Sequence, residues 1–213
     1  MEKPAIGLVL VRHGDTEWSR SGRYQGRSDR TLTAEGRAQA LDAALRLRDG
    51  GISSMLTSPL RRARETADLI AERLGLGAPV VDPRLVEIDY GTWEGLTQAE
   101  VRLRWPDELR RWKHTADPDS AAAPGGESLG HVRERLRLFF LDPMWAAHSG
   151  RGVLIVSHTG PIRVALLEAG RQPLSRFRHI PVPAASIHRL SFQWDERVIG
   201  LFSTSTDSAP CGL

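Results

Sequence analysis

Two short apolar runs in the chain each end at a histidine. Residues 6–11 (IGLVLV) are followed at once by Arg12 and His13, and residues 152–157 (GVLIVS) are followed by His158. Runs of this length suit a strand and are too short for a membrane span or a buried helix. A strand that is apolar on both faces is typical of a parallel sheet covered by helices. The pattern therefore predicts two parallel strands with His13 and His158 at their carboxyl ends.

Between and after these runs, the apolar residues recur at helical spacing. A helix with Thr33 as its N-cap is predicted to end at Gly50, and another is predicted from Ser58, as N-cap, to Gly75. The apolar positions of the first of these helices are Ala38, Leu41, Leu45 and Leu47. Further helices are predicted at 97–104, 107–113, 128–143 and from 159 onward, and further strands at 52–56, 79–82, 186–192 and 197–203, the last two as a hairpin at a sheet edge. This alternation predicts an α/β fold with three layers, α/β/α, and a mostly parallel central sheet.

The segment from Arg84 to Gly126 has a looser pattern. It alternates charged residues, glycines and aromatic residues, and its last part, 115–126, is rich in Ala, Asp, Pro and Gly. We expect a small cap of short helices and loops here, above the carboxyl ends of the strands. No repeat or linker divides the sequence, so a single domain over 1–213 is predicted.

The predicted sheet brings several chemical groups to one edge. Ligands of open α/β sheets bind beyond the carboxyl ends of the strands, where His13, His158 and Arg12 are expected. The helix after Ser58 starts at the same edge and adds Arg61 or Arg62 together with its N-terminal amides. Arginines, histidines and a helix N-terminus suit a dianionic phosphate.

Other interpretations of these residues are open at this point. A histidine at a strand end often only makes a structural hydrogen bond, and an arginine early in a helix is usually solvated. Two histidines also suit a metal ion, but the sequence has no HExxH motif or acidic cluster, and neighbouring arginines oppose a cation.

Composition narrows the class of protein. The 213 residues are 40% hydrophobic and 26% charged, with a net charge of +3, which fits an ordinary globular protein and an anionic substrate rather than nucleic acid. No stretch is apolar over the roughly 20 residues of a membrane span. The single cysteine, Cys211, excludes internal disulfides, and no signal-peptide pattern is seen, so a cytoplasmic location is expected.

Six blocks of the sequence, in order, resemble the histidine phosphatase superfamily, which includes the cofactor-dependent phosphoglycerate mutases. They lie between Ile6 and Ala165, and Glu65 stands where the family often has glutamine. The blocks are LVRHGDTEW (10–18), QG…D…LT…G…QA (25–40), TSPLRRARETA (57–67), LVEIDYGTWEG (85–95), GGES (125–128) and VSHTG (156–160).

The resemblance implies a role for individual residues. His13 would be the nucleophile that becomes phosphohistidine, and Glu87 would give a proton to the leaving oxygen and then activate water. Arg12, Arg62 and His158 would hold the phosphoryl oxygens, Arg62 being chosen over Arg61 because it directly precedes Ala63. Contacts to the substrate are expected from Ser19, Gln25, Gly26, Thr159 and Gly160. No cofactor and no metal is implied, and the partner is a small phosphorylated metabolite.

The chemistry agrees with these residue types. Phosphoryl transfer spreads negative charge over three oxygens, which fixed cations stabilise, and a histidine nucleophile divides hydrolysis into two displacements. The nucleophile must be neutral, and a backbone carbonyl near Gly14 could hold its other nitrogen. Asp89 and Glu94 compete with Glu87 as the acid, and Trp93 is expected to pack in the core.

Three activities remain open within this resemblance. Hydrolysis is favoured, in the manner of α-ribazole phosphate phosphatases or broad-specificity phosphatases. A phosphoglycerate mutase needs a second basic site, for which Arg110 and Arg111 are candidates, although Leu109 and Trp112 beside them indicate an amphipathic helix. Ser19 also departs from the asparagine of the mutases. A catalytically inactive member with a binding or regulatory role is the third alternative.

Overall fold

A computed structural model of the chain describes residues 5–114, 119–195 and 198–207. Its middle layer is one sheet of six strands in the order β3-β2-β4-β1-β5-β6. The strands are β1 (Ile6–Arg12), β2 (Ile52–Thr57), β3 (Val80–Val81), β4 (Gly152–Ser157), β5 (Ile187–Asp195) and β6 (Val198–Asp207). Neighbouring strands from β3 to β1 are parallel, whereas β5 is antiparallel to both β1 and β6. The mostly parallel sheet and the terminal hairpin at its edge are confirmed.

Helices cover both faces of this sheet. They are α1 (Glu17–Arg20), α2 (Ala34–Leu47), α3 (Arg61–Leu74), α4 (Gln98–Arg104), α5 (Pro106–His114), α6 (Leu129–Phe140) and α7 (Thr159–Ala169). In β1, Val9 and Val11 belong to the core under α2 and α3, whereas Leu8 and Leu10 belong to the core under α6 and α7. Alternate side chains of one strand thus face two apolar layers, which is why the run is apolar throughout. The predicted α/β/α arrangement is confirmed.

The buried face of α2 differs from the predicted one. Thr33 is its N-cap, as expected, and its hydroxyl accepts a hydrogen bond from the amide of Gly36. The leucines at 41 and 45 are 42% and 48% exposed, however, while the buried positions are Gly36, Ala40, Ala43, Ala44 and Leu47. The small residues form the buried face because α2 packs closely against α3 and the end of β1.

The start of α3 is also corrected. The helix begins at Arg61, three residues after Ser58, and its N-cap is Leu60, which makes no side-chain cap bond. The Asp29 carboxylate instead accepts a 2.7 Å hydrogen bond from the amide of Arg61. A local Ser-Pro signal was overridden here by tertiary contacts, because Ser58 bonds to a residue of another strand end.

The segment above the carboxyl ends of the strands is a mixture of short helices and loops, as predicted. Two 3-10 turns (Pro83–Leu85 and Gly91–Trp93) precede α4 and α5, and α4 opens with a capping box formed by Thr97 and Glu100. Trp93, Val101, Leu109 and Trp112 lie in the same apolar cluster as the sheet residues Leu8 and Leu10. The cap is therefore packed onto the sheet core. Of the predicted loop, 115–118 lie outside the described residues, as do Cys211 and the other terminal residues from 208 onward.

Among the described residues, none of the helices has the length and apolar content needed to cross a membrane.

The loop after β1 is held very close to α2. A Cβ atom on Gly14 would lie 2.2 Å from the carbonyl oxygen of Gly36, and one on Gly36 would lie 2.1 Å from the carbonyl oxygen of Asp15. Both neighbours are backbone atoms, which cannot rotate away. Two glycines therefore allow the contact between α2 and the loop that carries His13.

Gly36→Ala is expected to destabilise the protein. Alanine normally stabilises a helix relative to glycine by about 1 kcal/mol, but the close contact at Gly36 should reverse the sign and cost about 1–3 kcal/mol. Urea unfolding of the variant measures this. Gly77→Ala is the control, because a Cβ there meets nothing within 4 Å. A Gly36→Ala variant as stable as the wild type would contradict the proposed close contact.

Candidate active site

Two neighbouring strand ends bring the two histidines together. β1 and β4 pair in parallel with Arg12 opposite Ser157, and the amide of His13 donates to the Ser157 carbonyl at 3.1 Å. The imidazole rings of His13 and His158 lie 5.0 Å apart between centroids. The predicted meeting of the two histidines at one sheet edge is confirmed.

The His13 ring is held in one tautomer. Its Nδ1 lies 2.7 Å from the carbonyl oxygen of Gly14, which can only accept, so Nδ1 carries the proton. Its Nε2 is then unprotonated and accepts a 3.3 Å hydrogen bond from Nε of Arg62. Burial, and then the charges of Arg62 and Arg12, hold the pKa of His13 well below its usual value. The ring is therefore neutral and its Nε2 is available as a nucleophile.

The guanidinium of Arg62 is fully buried and held by backbone carbonyls. Its Nη2 donates to Gly26 at 2.7 Å and its Nη1 donates to Ser28 at 2.9 Å. The side-chain amide of Gln25 lies 3.1 Å from Nη1 and Nε of Arg62 and 2.7 Å from the Thr16 hydroxyl. Because guanidinium nitrogens only donate, the amide oxygen of Gln25 faces Arg62. Burial lowers the pKa of Arg62 to about 10, which leaves it a cation at neutral pH.

His158 lies behind His13 and is fully buried. Its Nε2 is 2.7 Å from the Ser58 hydroxyl, and its Nδ1 has no hydrogen-bond partner among the described residues. Burial, followed by the charge of Arg62, holds the pKa of His158 well below its usual value. In its neutral state, the His158 ring adds a fixed polar group to the site but no further positive charge.

Arg12 is fixed by the loop that precedes β5. Its Nη1 donates to the carbonyl of Val182 at 2.7 Å, and its amide donates to the carbonyl of Ser186 at 3.2 Å. Burial lowers the pKa of Arg12, and the nearby Glu87 opposes that shift. Arg12 and Arg62 thus provide two oriented guanidinium groups beside His13.

The carboxyl group of Glu87 is buried, and two backbone amides hold one of its oxygens. Its Oε1 accepts from the backbone N–H of Ile88 and of Gly160, each at 2.9 Å. A Cβ atom on Gly160 would lie 2.4 Å from that oxygen, so a glycine is needed there. Gly160, predicted to contact substrate, therefore orients Glu87 through its amide.

These groups surround a pocket of about 310 Å³. Eight of the residues predicted from the sequence line it, namely Arg12, His13, Ser19, Gln25, Gly26, Arg62, Glu87 and Thr159. The Ser19 hydroxyl is also engaged with Asp15 at 2.8 Å and closes the capping box of α1.

The far wall of the pocket was missed by sequence reasoning. It is formed by Gly22, Arg23, Tyr24, Tyr90 and Gln98. The rings of Tyr24 and Tyr90 pack 5.0 Å apart, and burial, followed by the charge of Glu87, raises the pKa of Tyr90. Tyr90 stands three residues after Glu87 in a block that carries the predicted acid, which is the signal that could have identified it.

Asp89 and Glu94, the other candidates for the acid, make their hydrogen bonds outside the pocket. Asp89 accepts from the amide of Gly91 at 2.7 Å, and Glu94 accepts from the amides of Arg27 and Ser28. Neither lines the pocket that contains Glu87. Trp93 is fully buried in the core, as expected.

Two other predicted features of the site can be described. The first amide of α3, one of those predicted to contribute to an anion site, donates to Asp29 and is already occupied. Among the described residues, no three His, Cys, Asp or Glu side chains are grouped as candidate metal ligands.

Known proteins share this sequence and arrangement. The chain is 43% identical over 184 residues to "Bifunctional protein Rv2228c" of Mycobacterium tuberculosis, covering 84% of this chain and 49% of that protein. It is 37% identical over 172 residues to "Phosphoserine phosphatase 1" of Hydrogenobacter thermophilus, covering 81% of this chain and 80% of that one. The chain thus spans about half the length of the mycobacterial relative and most of the second.

A solved structure agrees with the fold as a whole. Mycobacterial glucosyl-3-phosphoglycerate phosphatase, solved with VO3, is 32% identical with a TM-score of 0.78, over 95% of this chain and 98% of that one. A family model described as "Histidine phosphatase superfamily (branch 1)" matches residues 8–204. By sequence, by fold and by the order of its strand-end residues, the chain belongs to branch 1 of the histidine phosphatase superfamily.

Proposed function

We propose that this protein hydrolyses phosphomonoesters of small metabolites through a phosphohistidine, without a metal ion. The observation that carries the proposal is the neutral His13, whose unprotonated Nε2 faces the pocket 3.3 Å from a buried guanidinium. The names of the phosphatase relatives support hydrolysis. A reducing, cytoplasmic compartment fits the single cysteine of the sequence.

In the first step, Nε2 of His13 attacks the phosphorus and the bond from phosphorus to the ester oxygen breaks. Arg12 and Arg62 stabilise the negative charge on the equatorial oxygens. In a loose transition state, this electrostatic stabilisation provides most of the catalysis. The ring of His158 lies 5.0 Å from that of His13 between centroids and would donate a further hydrogen bond to a phosphoryl oxygen. The carboxyl of Glu87 gives its proton to the leaving alkoxide, which is otherwise too basic to depart.

In the second step, a water molecule attacks the phosphorus and the phosphorus–nitrogen bond of phosphohistidine breaks. Glu87, now a carboxylate, takes the proton of that water. The Nδ1 proton stays on His13 throughout, because the Gly14 carbonyl holds it at 2.7 Å. His13 returns to the tautomer in which it started.

The cap favours hydrolysis over mutase activity. Arg110 bonds to Asp107 at 2.8 Å and Arg111 lies 3.7 Å from Glu108, both pairs on the surface of α5. The apolar face of this helix, Leu109 and Trp112, is buried. The two arginines are thus directed away from the pocket and do not supply a second phosphate site there.

His13→Ala is expected to lower kcat for the release of phosphate from p-nitrophenyl phosphate about 10⁴-fold or more, because the nucleophile is lost. The wild type should retain its activity in EDTA. His179→Ala is the control, because this exposed histidine is not part of the pocket wall and should keep activity within about twofold. The absence of activity in the wild type, or full activity in His13→Ala, contradicts the proposed function.

Glu87→Gln is expected to separate substrates by their leaving group. Glutamine keeps the oxygen that accepts the Ile88 and Gly160 amides but cannot give the proton. Hydrolysis of an alkyl phosphate such as β-glycerophosphate should fall about 10²–10⁴-fold, whereas p-nitrophenolate leaves without a proton. With p-nitrophenyl phosphate we expect a burst of one equivalent of p-nitrophenolate per active site. Rapid quench should show the phosphoenzyme accumulating at the same time. Equal losses in the rate of phosphoenzyme formation from the two esters would assign the proton to another group.

The His13 ring is expected to stay neutral below its usual pKa. Long-range 1H–15N spectra should show the Nδ1–H tautomer and a titration midpoint below 6.5, because burial and two arginines disfavour the imidazolium. Unfolded chains take up this proton at about pH 6.5, so the free energy of unfolding should fall as the pH drops below that value. A midpoint at or above 6.5, or the Nε2–H tautomer, is inconsistent with this geometry.

A further inference from the structure

The carboxylate of Glu94 lies directly against the turn formed by residues 26–28. Its Oε1 accepts from the amide of Arg27 at 2.6 Å, and its Oε2 accepts from the amide of Ser28 at 2.7 Å and the Ser28 hydroxyl at 2.5 Å. Gly26 has a φ of +49°, and a Cβ there would lie 1.9 Å from Oε1 of Glu94. The glycine thus leaves room for the carboxylate.

The same turn holds Arg62 from its other side. The Gly26 carbonyl accepts from Nη2 of Arg62 at 2.7 Å, and the Ser28 carbonyl accepts from Nη1 at 2.9 Å. The Gly26 carbonyl and the Arg27 N–H belong to one planar trans peptide, so they point in opposite directions. One peptide unit therefore lies between the carboxylate of Glu94 and the guanidinium of Arg62, and fixing one side fixes the other.

We propose that Glu94 is a positioning residue that orients Arg62 for phosphoryl binding through the peptide between Gly26 and Arg27. The proposal rests on the proposed function for the role of Arg62. It assigns a task to the glutamate of the WEG sequence at 93–95, which had been a candidate acid. Both oxygens of Glu94 accept short hydrogen bonds from the turn, and Oε1 also accepts a longer one, at 3.4 Å, from the amide of Tyr90. Glu94 does not line the pocket, so its effect on Arg62 passes through the turn.

The chain of bonds also has an electrostatic consequence. A negative carboxylate at the N–H end of a peptide polarises it, which strengthens the acceptor at its C=O end. The Gly26 carbonyl then stabilises a guanidinium that is otherwise fully buried. Loss of the negative charge should therefore weaken the hold on Arg62 and let its Nε move away from His13.

Glu94→Gln tests this without a large change in shape. The amide keeps one acceptor oxygen but places an NH2 group against an N–H of the turn. We expect kcat/KM and the affinity for inorganic phosphate to fall roughly tenfold to a hundredfold, the scale of a misplaced binding group. The loss should be the same for p-nitrophenyl phosphate and β-glycerophosphate, in contrast to Glu87→Gln. The 15N shift of Nε2 of His13 should change as well.

A double mutant measures whether Glu94 acts through Arg62. Because Arg62→Lys removes the fork held by the Gly26 and Ser28 carbonyls, adding Glu94→Gln should then cost less than about threefold. Glu65→Gln is the matched control, since Glu65 accepts from the amide of Leu32 at 3.2 Å but not from the turn that holds Arg62. Its activity should stay within about twofold.

Several outcomes would overturn the proposal. These are unchanged phosphate affinity in Glu94→Gln, a loss that depends on the leaving group, full additivity in the Arg62→Lys background, or an equal loss in Glu65→Gln. If Glu94→Gln does not fold, Ser28→Ala replaces it, because it removes one donor to Glu94 and keeps both amides, and it must still weaken phosphate binding. If the wild type hydrolyses no ester, the proposed function fails, while phosphate binding and the His13 spectrum still test Glu94.

Discussion

The contact between Nε of Arg62 and Nε2 of His13 is the interaction on which the rest of the site depends. A fully buried cation is costly unless hydrogen bonds compensate it, and here backbone carbonyls from a single turn provide them. That requirement explains why an irregular segment between α1 and α2 is held so tightly. It also explains the neutral state of His13, since a second positive charge 3.3 Å away would be strongly disfavoured. The guanidinium that would bind a phosphoryl group in the proposed reaction thus also keeps His13 unprotonated.

The pairing of strands in the sheet fixes the position of this contact. Parallel pairing of β1 with β4 fixes the strand-end residues, and the glycines at 14 and 36 bring α2 to within backbone contact of the same loop. The amide of Gly14 also donates to the Thr66 hydroxyl, which in turn donates to the carbonyl of Arg62. His13 and the guanidinium of Arg62 are therefore linked through the backbone as well as through their side chains.

Sequence reasoning located the groups that follow regular elements and missed those set by distant contacts. His13, Arg12 and His158 were predictable because each directly follows an apolar run, and a local pattern defines that position. Ser58 was misassigned as a helix cap because its true partner, His158, is 100 positions away. Leu47 of α2 is buried as predicted, but Leu41 and Leu45 were misplaced because amphipathic spacing does not reveal that close packing selects alanine for the rest of the buried side. Tyr90 had a local signal, its position three residues after Glu87, but its place in the pocket wall also depends on its packing against Tyr24.

The site therefore has two ends with different origins. The phosphoryl end is built from strand ends and α3, whose positions follow from the sheet. The opposite wall of the pocket is built from Tyr24, Tyr90 and Gln98, and the two tyrosines belong to the aromatic packing of the cap, where Tyr90 meets Trp112 and Trp112 meets Phe177. In the proposed reaction the leaving group would lie against this aromatic wall, so changes in the cap would alter which ester is accepted while His13 and Arg62 keep their roles in the two displacements.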